Sequence, residues 1–318
     1  MGLSLLNMAE ASKAAGKNLQ AGVQMLIVQE NPMFEKISWA ELGQGKGSYG
    51  WHEDGALPSV AFRAVNASYT ADVGHIVPRS EGLSILGGEV KLDRFLQSTT
   101  GAGGGDRVSL DQKAIQFEMK ARAAKLEFEE QFFEGDSGLN FNAFDGLRAR
   151  AIENTSQNTI QAAGGGTLTL AKLDEVADSI RGGPSGWAMN VTLRRKVNAL
   201  IRAASVAQEM VTTEFGKQLP TYAGVPMWVV QREDDQSTIL GFDEDPGDGA
   251  ADTASIYGLR FGNEEDIFGI LGAGGAWEVQ DFGELQASPQ LLGRVEVYIG
   301  LVVKHKRSFA RLYGVTDT

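Results

Sequence analysis

Apolar positions recur along this chain at two periods, and the switches between them predict its elements. Between 109 and 134, Leu110, Ala114, Phe117, Ala121, Ala124 and Phe128 fall at alternating spacings of four and three, the signature of an amphipathic helix. Ile115, Met119, Leu126 and Phe133 form a second apolar row, so this helix should pack on two sides. Ser109 with Gln112 reads as a capping box, Glu118 precedes Arg122 at a pairing distance, and Gly135 supplies a stop. Leu170, Leu173, Val176, Ala177 and Ile180 predict a second helix, closed by Gly182-Gly183-Pro184. Asn190 can cap a third carrying Leu193, Val197, Leu200 and Ile201. Leu5, Met8 and Ala9, then Val23, Leu26 and Ile27, separated by Gly16, predict a short amphipathic arm over 1–30.

Period-two patterning marks strands. Val295, Val297, Ile299, Leu301 and Val303 alternate with Glu296, Tyr298, Gly300, Val302 and Lys304. Shorter alternations occur at Ile37 and Trp39, at Val60, Phe62 and Ala64, and at Val90 and Leu92. Between them GQGKGSYG and HEDGALP read as turns. Further extended pieces are expected at 226–230, 237–242, 255–262 and 267–272, with an exposed acidic loop at 243–252. Helices and strands mix without regular alternation, which argues for an α+β fold. No internal repeat is visible. The glycine-punctuated stretch 36–97 can hardly bury itself, so it packs back on the body or projects onto a neighbour. Removing 40–60 should then leave a subunit that folds but assembles poorly.

Composition narrows the function. With 318 residues and 42% apolar content the chain can build a sizeable core, yet it has no apolar run long enough to span a bilayer. Asn7 and Glu10 interrupt the apolar residues of the start, which therefore does not read as a signal peptide. Ser4-Leu5-Leu6 lacks the hydroxyl residue that a myristoylation start requires. The protein is expected to be soluble and to stay where it is made. Without cysteine it holds no disulfide and no thiolate metal site. Its net charge of −12 disfavours phosphate-backbone binding, and only Arg194-Arg195-Lys196 and Lys304-His305-Lys306-Arg307 are locally basic. The 40 glycines, about twice the usual share, imply many turns and hinges.

Candidate chemistry is thin. Gly45-Lys46-Gly47-Ser48-Tyr49-Gly50 has the dinucleotide spacing, but no helix pattern follows it. Asp243, Glu244, Asp245, Asp248 and Asp252 could meet a hard cation, although they miss the calcium-loop template. His52, His75 and His305 form no metal-binding pair, and Asp72, His75 and Ser80 lack a nucleophile elbow. Trp39, Trp51, Trp187, Trp228 and Trp277 suit core or interface anchoring. No catalytic, cofactor-binding or metal-binding residue is predicted, and no cofactor is expected.

The order of elements resembles the tailed-bacteriophage major capsid proteins of the Hong-Kong-97-type fold. The stretches carrying this likeness are GALPSVAFRAVN at 55–66, LSILGGEVKLDRFL at 83–96, QFFEGD at 131–136 and FDGLRAR at 144–150. TYAGVPMWVV at 221–230 and VEVYIGLVVKHKRSFARLYGV at 295–315 complete the set. The resemblance implies an N-terminal arm at 1–35 and an extended loop with flanking strands at 36–100. A peripheral domain with a spine helix at 101–165, an axial domain at 166–276, a returning peripheral strand at 277–304 and a C-terminal segment at 305–318 follow. It also implies hexamers and pentamers of itself in an icosahedral shell, built in the host bacterial cytoplasm around double-stranded DNA. A scaffolding protein, a portal and decoration proteins are the implied partners, with no membrane. Some members crosslink by a Lys–Asn isopeptide bond; Lys46 lies on the extended loop, but its surroundings do not match and no such bond is expected. Glycine hinges at 101–105 and 164–166 would let the parts re-orient. Two alternatives stay open: a nanocompartment shell of the same fold, and an acidic α+β metal-dependent enzyme using the 243–252 carboxylates.

Overall fold

The computed structural model describes Met33 and residues 36–94, 112–204, 210–212, 216, 218–230, 238–273 and 277–317. The expected arm over 1–30, the glycines at 101–105 and the Ser109 cap lie outside these.

The longest alternating stretch organises the first sheet. β13 (Gln290–Val303) buries Val295, Val297, Ile299 and Leu301 and turns Glu296 and Tyr298 outward, as its period-two pattern requires. One edge pairs antiparallel with β4 (Ser84–Asp93) from Gln290↔Asp93 to Ile299↔Ser84. Along the other edge β12 (Glu278–Glu284) takes Leu291 to Glu296 and β11 (Ile267–Leu271) takes Ile299 to Val303. β1 (Trp39–Glu41) joins β11 in parallel. The central helix α1 (Gln112–Glu134) packs on β4 and β13 and ends at Gly135, as the stop signal predicts. Phe117, Ala121 and Phe128 are buried against Val90, Val295, Val297 and Ile299. At Gly293 a Cβ would stand 2.1 Å from the Phe117 ring, so only glycine admits the helix this close. The second row works only in part: Leu126 and Phe133 are buried, while Met119 is 58% exposed. The expected Glu118–Arg122 pair forms at 3.1 Å.

A seven-stranded sheet forms the second layer. Its order is β5 (Asn158–Ile160), β14 (Phe309–Thr316), β10 (Thr253–Leu259), β6 (Gly186–Met189), β9 (Val225–Val229), β8 (Gln218–Tyr222) and β7 (Met210–Thr212). β10 is buried along its whole length because both faces are covered. Tyr257 and Leu259 join the core under α1, whereas Ala254 and Ile256 join the core under α3 (Leu170–Ser179) and α4 (Val191–Ala203). Leu173, Val176, Leu193, Val197 and Ile201 fill that second core, matching the predicted helical faces. Asn190 caps α4 as expected, its Oδ1 accepting from the Leu193 amide at 2.8 Å. A shorter helix, α2 (Leu147–Glu153), packs beside α1. Trp39, Trp187, Trp228 and Trp277 are buried core anchors.

Five expectations need correction. HEDGALP is not one turn, because strand β2 (Ser48–Ala56) runs through most of it. The alternation at Val60, Phe62 and Ala64 forms no strand, and of the strand expected at 237–242 the described part, 238–242, is irregular. Gly164–Gly166 is a fixed turn rather than a hinge: the Gly166 amide donates to the Gly314 carbonyl at 2.9 Å, and the Thr316 amide donates to Gly166 at 3.0 Å. Finally, a 40–60 deletion would remove Ala40 and Leu42, both buried against Phe268, Ile270 and Val302, and so would damage the body as well as the loop.

Candidate assembly surface

The projecting part of 36–97 is a hairpin. β2 pairs antiparallel with β3 (His75–Gly82) from Ser48↔Gly82 to Ala56↔His75, and residues 57–74 join the two. Alternation splits its side chains between two faces. Tyr49, Trp51 and Glu53 with Val77, Arg79 and Glu81 lie on the face turned to the body, where the Tyr49 ring meets Phe268 edge-on at 5.3 Å.

The connecting loop has an internal frame. Asp72 accepts from the Ser59 amide at 2.7 Å and from the Val73 amide at 2.9 Å, which ties the two ends of the loop together. Those backbone donors hold its carboxyl below the usual carboxylate range. Arg63 donates to the Ala67 carbonyl at 3.1 Å and lies 5.2 Å over the Tyr69 ring. This frame spends polar groups on shaping the loop and leaves its apolar ones outside. Val60 is 94% exposed, Phe62 108%, Val65 90% and Val73 89%. Large apolar side chains exposed together on one loop make it a candidate contact surface.

The candidate chemical residues are dispersed. Gly45-Lys46 turns directly into β2, so the glycine spacing opens a strand where a dinucleotide site needs a helix. His75 and Ser80 fall on opposite faces of β3, and the Asp72 carboxylate is occupied by backbone donors. In the acidic loop, Asp245 accepts from the Gly247, Asp248 and Gly249 amides at 2.7, 3.1 and 3.0 Å and so shapes the loop. The same donors depress its pKa. Glu244 is not solvated at all: it is buried and pairs with Arg311 at 2.8 Å. Among the described residues no three His, Asp or Glu side chains gather as metal ligands.

Two features escape sequence reading. His52 and His305, far apart in the chain, share a groove of about 680 Å³ with Arg181 and Lys306. The Arg307 amide donates to His305 Nδ1 at 3.0 Å, and burial, then the Arg181 charge, push that imidazole below its usual range. The second is an ion pair between Glu81 on the hairpin and Arg150 on α2, at 2.7 Å. Nothing in the local sequence links partners 69 residues apart.

No family model matches the chain, and neither does any curated protein sequence. Solved structures do match, over nearly the whole length. The cyanophage A-1(L) capsid subunit superposes with a TM-score of 0.62 at 14% identity, covering 90% of this chain and 93% of that one. The SrpI encapsulin of Synechococcus elongatus PCC 7942 gives 0.61 at 16% identity over 89% and 86%. The Microbacterium phage Oxtober96 structure gives 0.57 at 12% identity over 87% and 88%. The fold is therefore that of the shell-forming proteins. More particularly, it is the Hong-Kong-97-type capsid fold, an α+β architecture with a long helix laid on a sheet, a second sheeted layer and a projecting hairpin.

Proposed function

We propose that this chain is the major capsid protein of a tailed bacteriophage, closing as hexamers and pentamers into an icosahedral shell around double-stranded DNA. The observation that carries the reading is the 57–74 loop: a pinned frame that presents Val60, Phe62, Val65 and Val73 to water on a fold otherwise used for shells. Such a patch gains its free energy only when a neighbouring copy covers it, and ring closure multiplies each contact. The role is structural, with no catalytic step. On this reading the chain divides into an arm at 1–35, an extended loop at 36–100 and a spine-helix domain at 101–165. An axial domain at 166–276, a returning strand at 277–304 and a C-terminal segment at 305–318 complete it. Assembly would take place in the host bacterial cytoplasm, with a scaffolding protein, a portal and decoration proteins as partners.

The test is electron microscopy of the protein expressed with the products of its neighbouring genes. Uniform closed shells are expected. The triple variant Val60→Ser, Phe62→Ser, Val65→Ser should leave the subunit's melting temperature nearly unchanged, since exposed positions contribute within about 0.5 kcal/mol each, yet lose shell formation. Full-sized shells from that variant would overturn the reading. The encapsulin match supports a nanocompartment as a second reading. Shells that contain a cargo enzyme and exclude DNA would favour it.

A further inference from the structure

Among the described residues the hairpin meets the body at a small apolar seat and at ion pairs that lie at different distances along it. At its base, Glu81, directly across from Tyr49, pairs with Arg150 at 2.7 Å, with side chains only 24% and 15% exposed. Four residues further out along β2, Glu53 meets Lys306 at 3.8 Å and Arg79 at 3.2 Å. On a strand that offset is about 13 Å. A seat alone permits rocking; two restraints at separate points define an angle.

Arg150 is the stronger of the two anchors because its guanidinium is already fixed. Nε donates to the Asp145 carbonyl at 3.0 Å and Nη2 to the Leu301 carbonyl at 3.2 Å, leaving Nη1 aimed at Glu81. A planar fork held this way loses little further freedom on meeting a carboxylate. Lys306, by contrast, is 60% exposed. Between hairpin and body lies an open groove of about 400 Å³, lined by Trp51, Glu81, Arg150 and Lys306 among others. The hairpin thus has room to swing once its restraint is released.

We propose that Arg150, through its pair with Glu81, sets the angle at which the hairpin leaves the body, and with it the curvature and diameter of the shell. Arg150 is then a positioning residue for assembly, a role that rests on the capsid reading. Glu81→Gln is the clean probe, since it leaves the bonds from Arg150 to the body in place. The chain has no cysteine, so spin labels can be placed on Ala67→Cys at the exposed tip and Ser137→Cys on the exposed body surface. The tip-to-body distance distribution of the free subunit should be roughly twofold broader in Glu81→Gln, as expected for release of a loop-scale motion. The melting temperature should hold, and Arg150→Lys, which keeps the charge but not the fork, should lie between. Assembled Glu81→Gln shells should vary in diameter where wild-type shells are uniform. An unchanged distance distribution, or shells of unchanged diameter, would overturn the proposal. If the distribution broadens but even wild-type protein forms no shell with its neighbouring gene products, the capsid reading fails and the Glu81–Arg150 latch stands.

Discussion

The buried Arg311–Glu244 pair gives the sharpest test of what holds the second layer together. Arg311 on β14 and Glu244 in the loop before β10 meet at 2.8 Å, with side chains 5% and 4% exposed. Arg311 Nε donates to Ser255 Oγ at 2.9 Å, and the Ser255 hydroxyl donates in turn to Glu244. Arg311 Nη1 reaches Asn158 Oδ1 at 3.4 Å, and the Thr253 hydroxyl donates to the Glu244 carbonyl at 2.7 Å. One network therefore binds β5, β14, β10 and the loop. Glu244→Gln preserves the shape and strands a buried guanidinium; Arg311→Met strands a buried carboxylate. Either should cost about 3–5 kcal/mol, the usual penalty for removing one partner of a buried pair. That is a large share of a domain's net stability of roughly 5–15 kcal/mol. Replacing both partners, as Glu244→Leu with Arg311→Met, removes both desolvation penalties and should return to within about 2 kcal/mol of wild type. Urea unfolding of the free subunit, followed through tryptophan fluorescence, reads these differences because Trp187 and Trp228 are buried in the same sheet. Single variants costing less than about 1 kcal/mol, the range of a solvated pair, would refute the reasoning. So would a double variant whose loss equals the two single losses added together.

Three further outcomes follow from the packing and the titrating groups. Gly186→Ala would place a Cβ 2.0 Å from the ring of buried Trp228, and urea titration should show a loss of at least about 1–3 kcal/mol, the cost of overpacking. Asn190→Ala removes the α4 cap and also strips the Leu240 carbonyl of its donor at 2.9 Å; a loss of about 1–2 kcal/mol is expected by the same measurement. Glu134 sits at the end of α1, where burial first raises its pKa above 4.5, against the lowering charge of Arg148. A raised folded-state pKa means that its contribution is full below the unfolded value and is lost as pH rises through the folded one. Glu134→Gln should therefore melt higher than wild type at pH 8 and lose that advantage near pH 4, in parallel thermal scans; an advantage that grows on acidification would reverse the sign.

Much of the body was legible because its side chains meet partners within the same chain. The Leu173, Val176, Leu193 and Val197 rows fall on the second core, and the Val295-to-Leu301 alternation falls on the first. The Asn190 cap is local chemistry and is read locally; the helix does end at Gly135, but glycine is needed there because a Cβ would stand 2.6 Å from the Phe144 carbonyl. Glu244 reads as solvated because its loop is rich in Asp and Gly, and its partner arrives 67 residues later on β14. Gly50 and Gly55 look like turn residues, yet both are strand positions: at Gly55 a Cβ would stand 3.1 Å from His75 and Val77 across the hairpin. Glycine there serves a close cross-strand approach, a use that sequence alone cannot tell from a turn.

The failure at Val60, Phe62 and Ala64 has a different cause, and it bears on function. Their alternation is a genuine period-two signal, yet it pairs with no strand among the described residues. In a body element such a pattern would be answered by a facing core, as the rows of β13 are. Here Asp72 and Arg63 fix the loop in a shape that points the apolar groups away from every core. Each large side chain left in water forgoes the roughly 1.5–3 kcal/mol that burial would contribute, a gain open only to a contact outside this loop. The net charge of −12 opposes casual association between copies, so the patch has to act against a long-range repulsion and only at contact. On the capsid reading, a pinned, apolar and extended loop meets those conditions, because it would bring a small apolar surface onto a neighbour without bringing the acidic bodies together first.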